Sequence, residues 1–173
     1  YRQQLIRYDV GEKNIKPLDC KKLKSGYDIV VISDYNKGFI THDVAKYICK
    51  FYKDVPVFVD TKKKDLKCFS NCFIKINNIE YELLEDYNKN CELIVTLGGE
   101  GAIYKDQIYK TKKVEVYDVC GAGDVFLSAL VYKFAQNRNI KSAIHTANKL
   151  ASYTVTKLGS YVLTKEDIQQ LEK

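Results

Sequence analysis

Four short apolar runs mark the first half of the chain: Ile29-Val30-Val31-Ile32, Val57-Phe58-Val59, Phe73-Ile74-Lys75-Ile76 and Leu93-Ile94-Val95. They are rich in β-branched residues and do not alternate strictly between apolar and polar. That is the pattern of strands buried on both faces of a parallel sheet. Between the first two runs, over residues 41–53, Thr41 can cap a helix whose apolar side carries Val44, Ile48 and Phe51. Strand, helix, strand is the βαβ unit, and its crossover is right-handed. The pattern therefore predicts an α/β fold built on a mostly parallel sheet.

Beyond Leu97 the pattern changes. Gly98-Gly99-Glu100-Gly101 reads as a tight turn, followed by strand-like pieces at Ala102–Tyr104, Gln107–Tyr109 and 114–117. After Gly121-Ala122-Gly123-Asp124, the residues Phe126, Leu127, Leu130, Val131 and Phe134 recur with helical period. Asn137-Arg138-Asn139 interrupts it. A second helix is predicted to carry Ile140, Ile144, Ala147, Ala151, Val155 and Leu158 on one side and to stop at Gly159. A short last helix is expected from Thr164, with Asp167 in its first turn. There is no repeat, no low-complexity tract and no linker.

A chain of 173 residues suits one domain, and 46% hydrophobic with 29% charged residues excludes a disordered segment. No apolar run approaches the roughly 18 residues of a membrane span, and no signal peptide opens the chain. The net charge of +6 reads as a solvated, lysine-rich surface and not as a nucleic-acid face. The six cysteines lack CxxC spacing and lie far in sequence from His42 and His145, which argues against structural zinc. They read as reduced thiols of a cytoplasmic protein. The chain has no methionine and begins at Tyr1. The expectation is a processed chain or a piece of a longer one.

Candidate chemistry concentrates in Asp118-Val119-Cys120-Gly121-Ala122-Gly123-Asp124. Small residues at a helix start let backbone N–H groups approach an anion, and the helix dipole adds positive potential there. The same residues also suit an ordinary helix N-terminus, and taken alone they leave both readings open.

The rest of the chain bears on the choice. The pattern D-x-x-G-A-G-D before an amphipathic helix resembles the signature of the ribokinase-like (PfkB) carbohydrate kinases. Thr96-Leu97-Gly98-Gly99-Glu100-Gly101 resembles that family's T-x-G-x-x-G nucleotide loop, and Asn77-Asn78-Ile79-Glu80 its N-x-x-E motif. Within the family, four segments resemble the heptose 7-phosphate kinase domain of ADP-heptose synthesis. They are Gln3-Gln4-Leu5-Ile6-Arg7-Tyr8-Asp9, Ser33-Asp34-Tyr35-Asn36-Lys37-Gly38, Val59-Asp60-Thr61-Lys62 and Lys157-Leu158-Gly159-Ser160. The shared order of these motifs along the chain carries more weight than any one of them.

The resemblance implies a ribokinase-like three-layer α/β/α fold, incomplete because the N-terminal half of the family domain is missing. Residues 1–173 would be the C-terminal portion of one kinase domain. It implies phosphoryl transfer from ATP to a sugar phosphate, with Mg²⁺. Asp124 would be the catalytic base, and the backbone of Gly121, Ala122 and Gly123 the anion hole. Asn77 and Glu80 would order Mg²⁺ and the phosphates through water. Thr96, Gly98 and Gly101 would line the nucleotide, with Asn148 near the adenine. Asp34, Lys37 and Lys62 would meet the sugar phosphate, while Lys63 and Lys64 read as a solvated loop. The chain departs from the family pattern at Val119 (usually Thr), Ile76 (usually Pro) and Asn36 (usually Gly), and in a short connection from Glu80 to Leu93. An unpaired, apolar sheet edge beside Ile29–Ile32 is expected, open to a homodimer partner or to the missing segment. Two rivals stay open: another ribokinase-like sugar kinase, and a nucleotide-binding remnant without catalysis.

Overall fold

The computed structural model describes residues 15–172. The Gln3–Asp9 motif lies outside the described residues. The four apolar runs become β1 (Val30–Asp34), β2 (Val57–Thr61), β4 (Phe73–Asn77) and β6 (Glu92–Thr96), hydrogen-bonded side by side and all parallel. A hairpin of β7 (Ala102–Tyr104) and β8 (Gln107–Tyr109) extends this sheet antiparallel, so the order is β1-β2-β4-β6-β7-β8. Its two-residue turn, Lys105-Asp106, holds both φ angles positive, at 48° and 60°. That geometry matches the twist of the flanking strands. A second, two-stranded parallel ribbon pairs β3 (Asp65–Leu66) with β5 (Asp86–Tyr87).

Every residue of β2 is buried, as a strand covered on both faces requires. Its side chains alternate between two cores. Val57 and Val59 join Ile32, Ile74 and Ile76 under α1 (His42–Phe51). Phe58 points the other way, to Ile94 and to Phe126, Leu130, Phe134 and Ile144 of α3 (Ala122–Asn137) and α4 (Ile140–Thr154). The result is the three-layer α/β/α arrangement. Burying each such large apolar side chain is worth about 1.5–3 kcal/mol, so each face of the sheet carries its own stabilising cluster.

Thr41 caps α1 as read from the sequence, its hydroxyl accepting from Val44 N–H at 3.2 Å. The buried face, however, is Val44, Ala45, Ile48 and Cys49. Phe51 is 41% exposed and stacks on Tyr47. The helical repeat carries it past the edge of the stripe that Val44 and Ile48 define. Residues 114–117 form no strand: Tyr117 N–H and Asp118 N–H both donate to Val155 O, which holds this segment as a loop against the end of α4. α4 stops at Thr154, five residues before Gly159, because Thr156 and Lys157 turn their N–H groups onto Tyr153 O and Thr154 O. Leu158 is consequently 73% exposed.

The Glu80–Leu93 connection consists of a short helix, α2 (Asn78–Glu82), and the β5 strand. α5 (Lys165–Glu172) starts at Thr164 through reciprocal bonds with Asp167. Among the described residues β1 has a neighbour on one side only, and Val31 on it is 48% exposed. All six cysteines are unpaired. No described helix is long and apolar enough to cross a membrane.

Candidate active site

Each parallel strand ends in polar residues: Asp34 after β1's apolar run, Asp60 and Thr61 on β2, Asn77 on β4, Thr96 on β6. Parallel register brings these ends to one edge, the place where open α/β sheets hold ligands. The N-terminus of α3 meets them there, around a cleft of about 750 Å³. Of the residues singled out from the sequence, Asp34, Lys62, Asn77, Thr96, Gly98, Gly101, Gly121, Ala122, Gly123, Asp124 and Asn148 line it. Lys37 and Glu80 do not.

The start of α3 has no side-chain cap; its N-cap, Gly121, takes φ +79°. The Asp118 carboxylate accepts from Cys120 N–H at 2.9 Å and from Gly159 N–H at 3.1 Å, tying this loop to the segment after α4. Ala122 N–H is already donated to Val119 O at 3.2 Å. Of the three small residues expected to cradle an anion, Ala122 is therefore spent, and the first-turn amides that no helix carbonyl accepts remain at Gly123 and Asp124. Asp124 is exposed, and no described side chain or amide bonds its carboxylate.

A residue the motif reading passed over stands opposite. Lys75, 4% exposed, pairs with Asp60 at 2.7 Å; the two are register partners on β4 and β2. A Cβ placed on Gly123 would lie 3.0 Å from the Lys75 ammonium, so that ammonium sits directly against the start of α3. The available signal was a lysine inside an otherwise apolar strand run, because a buried charge needs a specific partner. Among the described residues Asp60 Oδ1 is buried without a hydrogen bond, and the Lys62 ammonium lies 3.8 Å from it.

Asn77 and Glu80 form a capping box at α2: Asn77 Oδ1 accepts from Glu80 N–H, and Glu80 Oε2 accepts from Asn77 N–H, both at 2.8 Å. Glu80 Oε1 takes the ammonium of Lys62. Burial alone would lower the Lys62 pKa, but the hydrogen bond to Glu80 and the Asp60 charge outweigh it and hold it above the ordinary value.

On the other wall, Gly101 sits at φ +100°, and a Cβ there would fall 2.1 Å from Tyr109 O. Only glycine lets the turn after β6 pack this tightly. Asn148 is buried and donates to Tyr109 O at 2.6 Å, so its amide fixes the chain leaving β8 as a wall of the cleft. Thr111 links the same wall to Ser152 at 2.5 Å.

At the far end, Asp34 is buried and bonded on both oxygens. Lys63 is not solvated, as the lysine run suggested: it is 6% exposed and pairs with Asp34 at 3.0 Å. Lys64 is exposed, as expected. Lys37 is exposed and lies off the cleft.

The profile of the pfkB family of carbohydrate kinases matches residues 74–167. The bifunctional protein HldE of Nitratiruptor sp. is 36% identical over 200 aligned residues, covering 99% of this chain and 43% of that protein. HldE of Aliarcobacter butzleri is 30% identical, covering 87% and 38%. The chain thus spans about two fifths of the length of these curated relatives. Among solved structures, phosphofructokinase-2 of Escherichia coli superposes with a TM-score of 0.69 at 18% identity, covering 83% of this chain and 55% of that one. Arabidopsis thaliana ribokinase, solved with ribose and ATP, gives 0.65 at 20% identity, covering 84% and 56%. The profile match spans β4, the cleft-lining turn after β6 and the Asp124 helix start, and with it the chain belongs to the pfkB family of carbohydrate kinases.

Proposed function

We propose that the chain carries the nucleotide and phosphoryl-transfer half of a kinase that moves the γ-phosphoryl group of ATP to a hydroxyl of a sugar phosphate. The heptose 7-phosphate of ADP-heptose synthesis is the first substrate to test, given the similarity to the HldE proteins. One observation carries the reading: Asp124, whose carboxylate no described residue bonds, stands at a helix N-terminus faced by the buried ammonium of Lys75.

Asp124 accepts the proton of the attacking hydroxyl as its oxygen bonds to the γ-phosphorus. The bond from that phosphorus to the bridging oxygen breaks, and ADP leaves. Charge on the transferred group is met by the Gly123 amide, the helix start and Lys75. The Gly98–Gly101 turn and the Asn148 wall hold the nucleotide. Lys62 binds the acceptor's phosphate, a role supported by its position on the cleft wall. The carboxylates suit Mg²⁺: among the described residues Asp60 Oδ1 is buried with no hydrogen bond, and Glu80 Oε1 is bonded by the partly exposed Lys62. Asn77 and Glu80 would hold the ion through water, where it supplies charge neutralisation on the phosphates.

A coupled assay of ADP release from the full-length protein tests this across sugars and sugar phosphates. ADP release that requires a sugar phosphate is the expected result. ADP release with no acceptor preference, or none at all, overturns it.

A further inference from the structure

We infer that Lys63 is a positioning residue for the acceptor end of the cleft, acting through Asp34 on the turn that follows β1. This rests on the sugar-phosphate kinase reading. The lysine ammonium reaches Asp34 Oδ2 at 3.0 Å and donates to Asn36 Oδ1 at 3.0 Å. Asp34 Oδ2 also accepts from the fully buried Thr61 hydroxyl at 2.8 Å, and Oδ1 accepts from Asn36 N–H at 2.9 Å. Thr61 Oγ1 in turn accepts from Lys63 N–H at 3.2 Å, which closes the network.

The consequences run in two directions. Asp34 has its charge neutralised and its oxygens engaged, with a side chain 2% exposed, so it acts on an acceptor through the turn it holds. That turn carries Tyr35, 58% exposed on the cleft wall. Lys62 N–H donates to Asp34 O at 3.0 Å, so the same strut sets where the Lys62 side chain begins. Asn36 holds φ +55°, which costs an ordinary residue and which glycine would relieve. A glycine would also remove the second acceptor of Lys63. A buried ion pair is a poor way to stabilise a fold compared with apolar packing. Its value here is geometric: it fixes one turn against one strand end.

Two variants of the full-length protein test this: Asn36→Gly, and the charge-neutral pair Asp34→Asn with Lys63→Met. The pair avoids the stranded carboxylate that Lys63→Met alone would bury. The readouts are the KM for the sugar phosphate, the KM for ATP and amide exchange at residues 35–38. The expected result is an acceptor KM raised about threefold in the first variant and about tenfold in the second, with the ATP KM unchanged. Exchange at 35–38 rises at least about tenfold while that of β2 and β4 stays as it was. Unchanged exchange overturns the strut. Faster exchange with both KM values raised alike, or neither, makes Lys63 merely structural and overturns its role. A wild-type protein that turns over no sugar phosphate refutes the kinase reading and with it the acceptor role, while exchange still decides whether Lys63 holds the turn.

Discussion

Lys75→Met is the substitution whose consequences the structure states most fully. The ammonium is buried, 2.7 Å from Asp60 Oδ2. Removing it leaves a buried carboxylate whose other oxygen already lacks a hydrogen bond. Breaking such a pair costs about 3–5 kcal/mol. Lys62, 3.8 Å from Asp60 and 42% exposed, recovers little of this because solvent screens it, so a loss near 3 kcal/mol is expected. Against a typical total of about 5–15 kcal/mol, that is a large fraction. Urea melts of the variant should show a much lower midpoint with an unchanged slope. Asp60→Leu with Lys75→Met replaces the pair by apolar groups and should restore the midpoint to within about 1 kcal/mol of wild type. Turnover should not return with it: loss of one preorganised electrostatic partner costs on the order of 10²–10³ in kcat. A single variant as stable as wild type would refute the buried pair. A stable double variant with near-normal kcat would remove Lys75 from the phosphoryl site.

The other predictions follow from single contacts. Asp124→Asn should lower kcat by on the order of 10²–10⁴ and leave the Kd for ATP within about twofold, measured by calorimetry, since an amide keeps the shape but accepts no proton; a variant with near-normal turnover would sink the base role. Gly101→Ala should destabilise by more than about 1 kcal/mol in a thermal melt, because its Cβ would fall 2.1 Å from Tyr109 O at a φ of +100°. Cys120, exposed between the cleft residues Val119 and Gly121, should react first with a maleimide, and ATP should protect it; peptide mapping of the labelled protein checks both points. The Thr164 N–H, with Tyr161 and Tyr153, holds the Asp167 carboxyl at a pKa of about 2. A depressed folded value stabilises above the unfolded pKa of about 4 and is lost as pH falls toward 2. α5 should therefore loosen over that window, and Asp167→Asn should abolish the dependence in amide-exchange profiles.

The parallel sheet was legible because burial on both faces writes itself as β-branched runs, and β2 is the clear instance. The start of α1 was legible because Thr41 is a local signal. Phe51 was misplaced because periodicity gives a stripe but not its edge, and the neighbouring Tyr47 offered a surface stack instead. The pieces around 114–117 failed because they are set by a contact made across the chain, Tyr117 and Asp118 on Val155 O, whereas α4 ends early in local turn bonds from Thr156 and Lys157 that the apolar period does not register. No local pattern announces a backbone bond between residues about forty apart.

The site shows the same division more sharply. The motif glycines and Asn77 fall on the cleft because each has a local geometric job, Asn77 as the cap of α2, and Asp124 falls there because it lies in the first turn of α3. The lysines were harder, since what a lysine does depends on which carboxylate the fold brings to it. Register places Lys75 against Asp60, and the β1 and β2 ends place Lys63 against Asp34. Lys62 completes the set with Glu80. Two of these three pairs are buried, and breaking either strands a carboxylate at a cost of several kcal/mol. Lys62, with a side chain 42% exposed, is the one of the three that solvent screens. A run of three lysines in sequence thus splits by burial into a buried ion-pair partner at Lys63, a solvated Lys64 and a half-exposed cation at Lys62 on the cleft wall. Tertiary placement, and not residue type, assigns those parts.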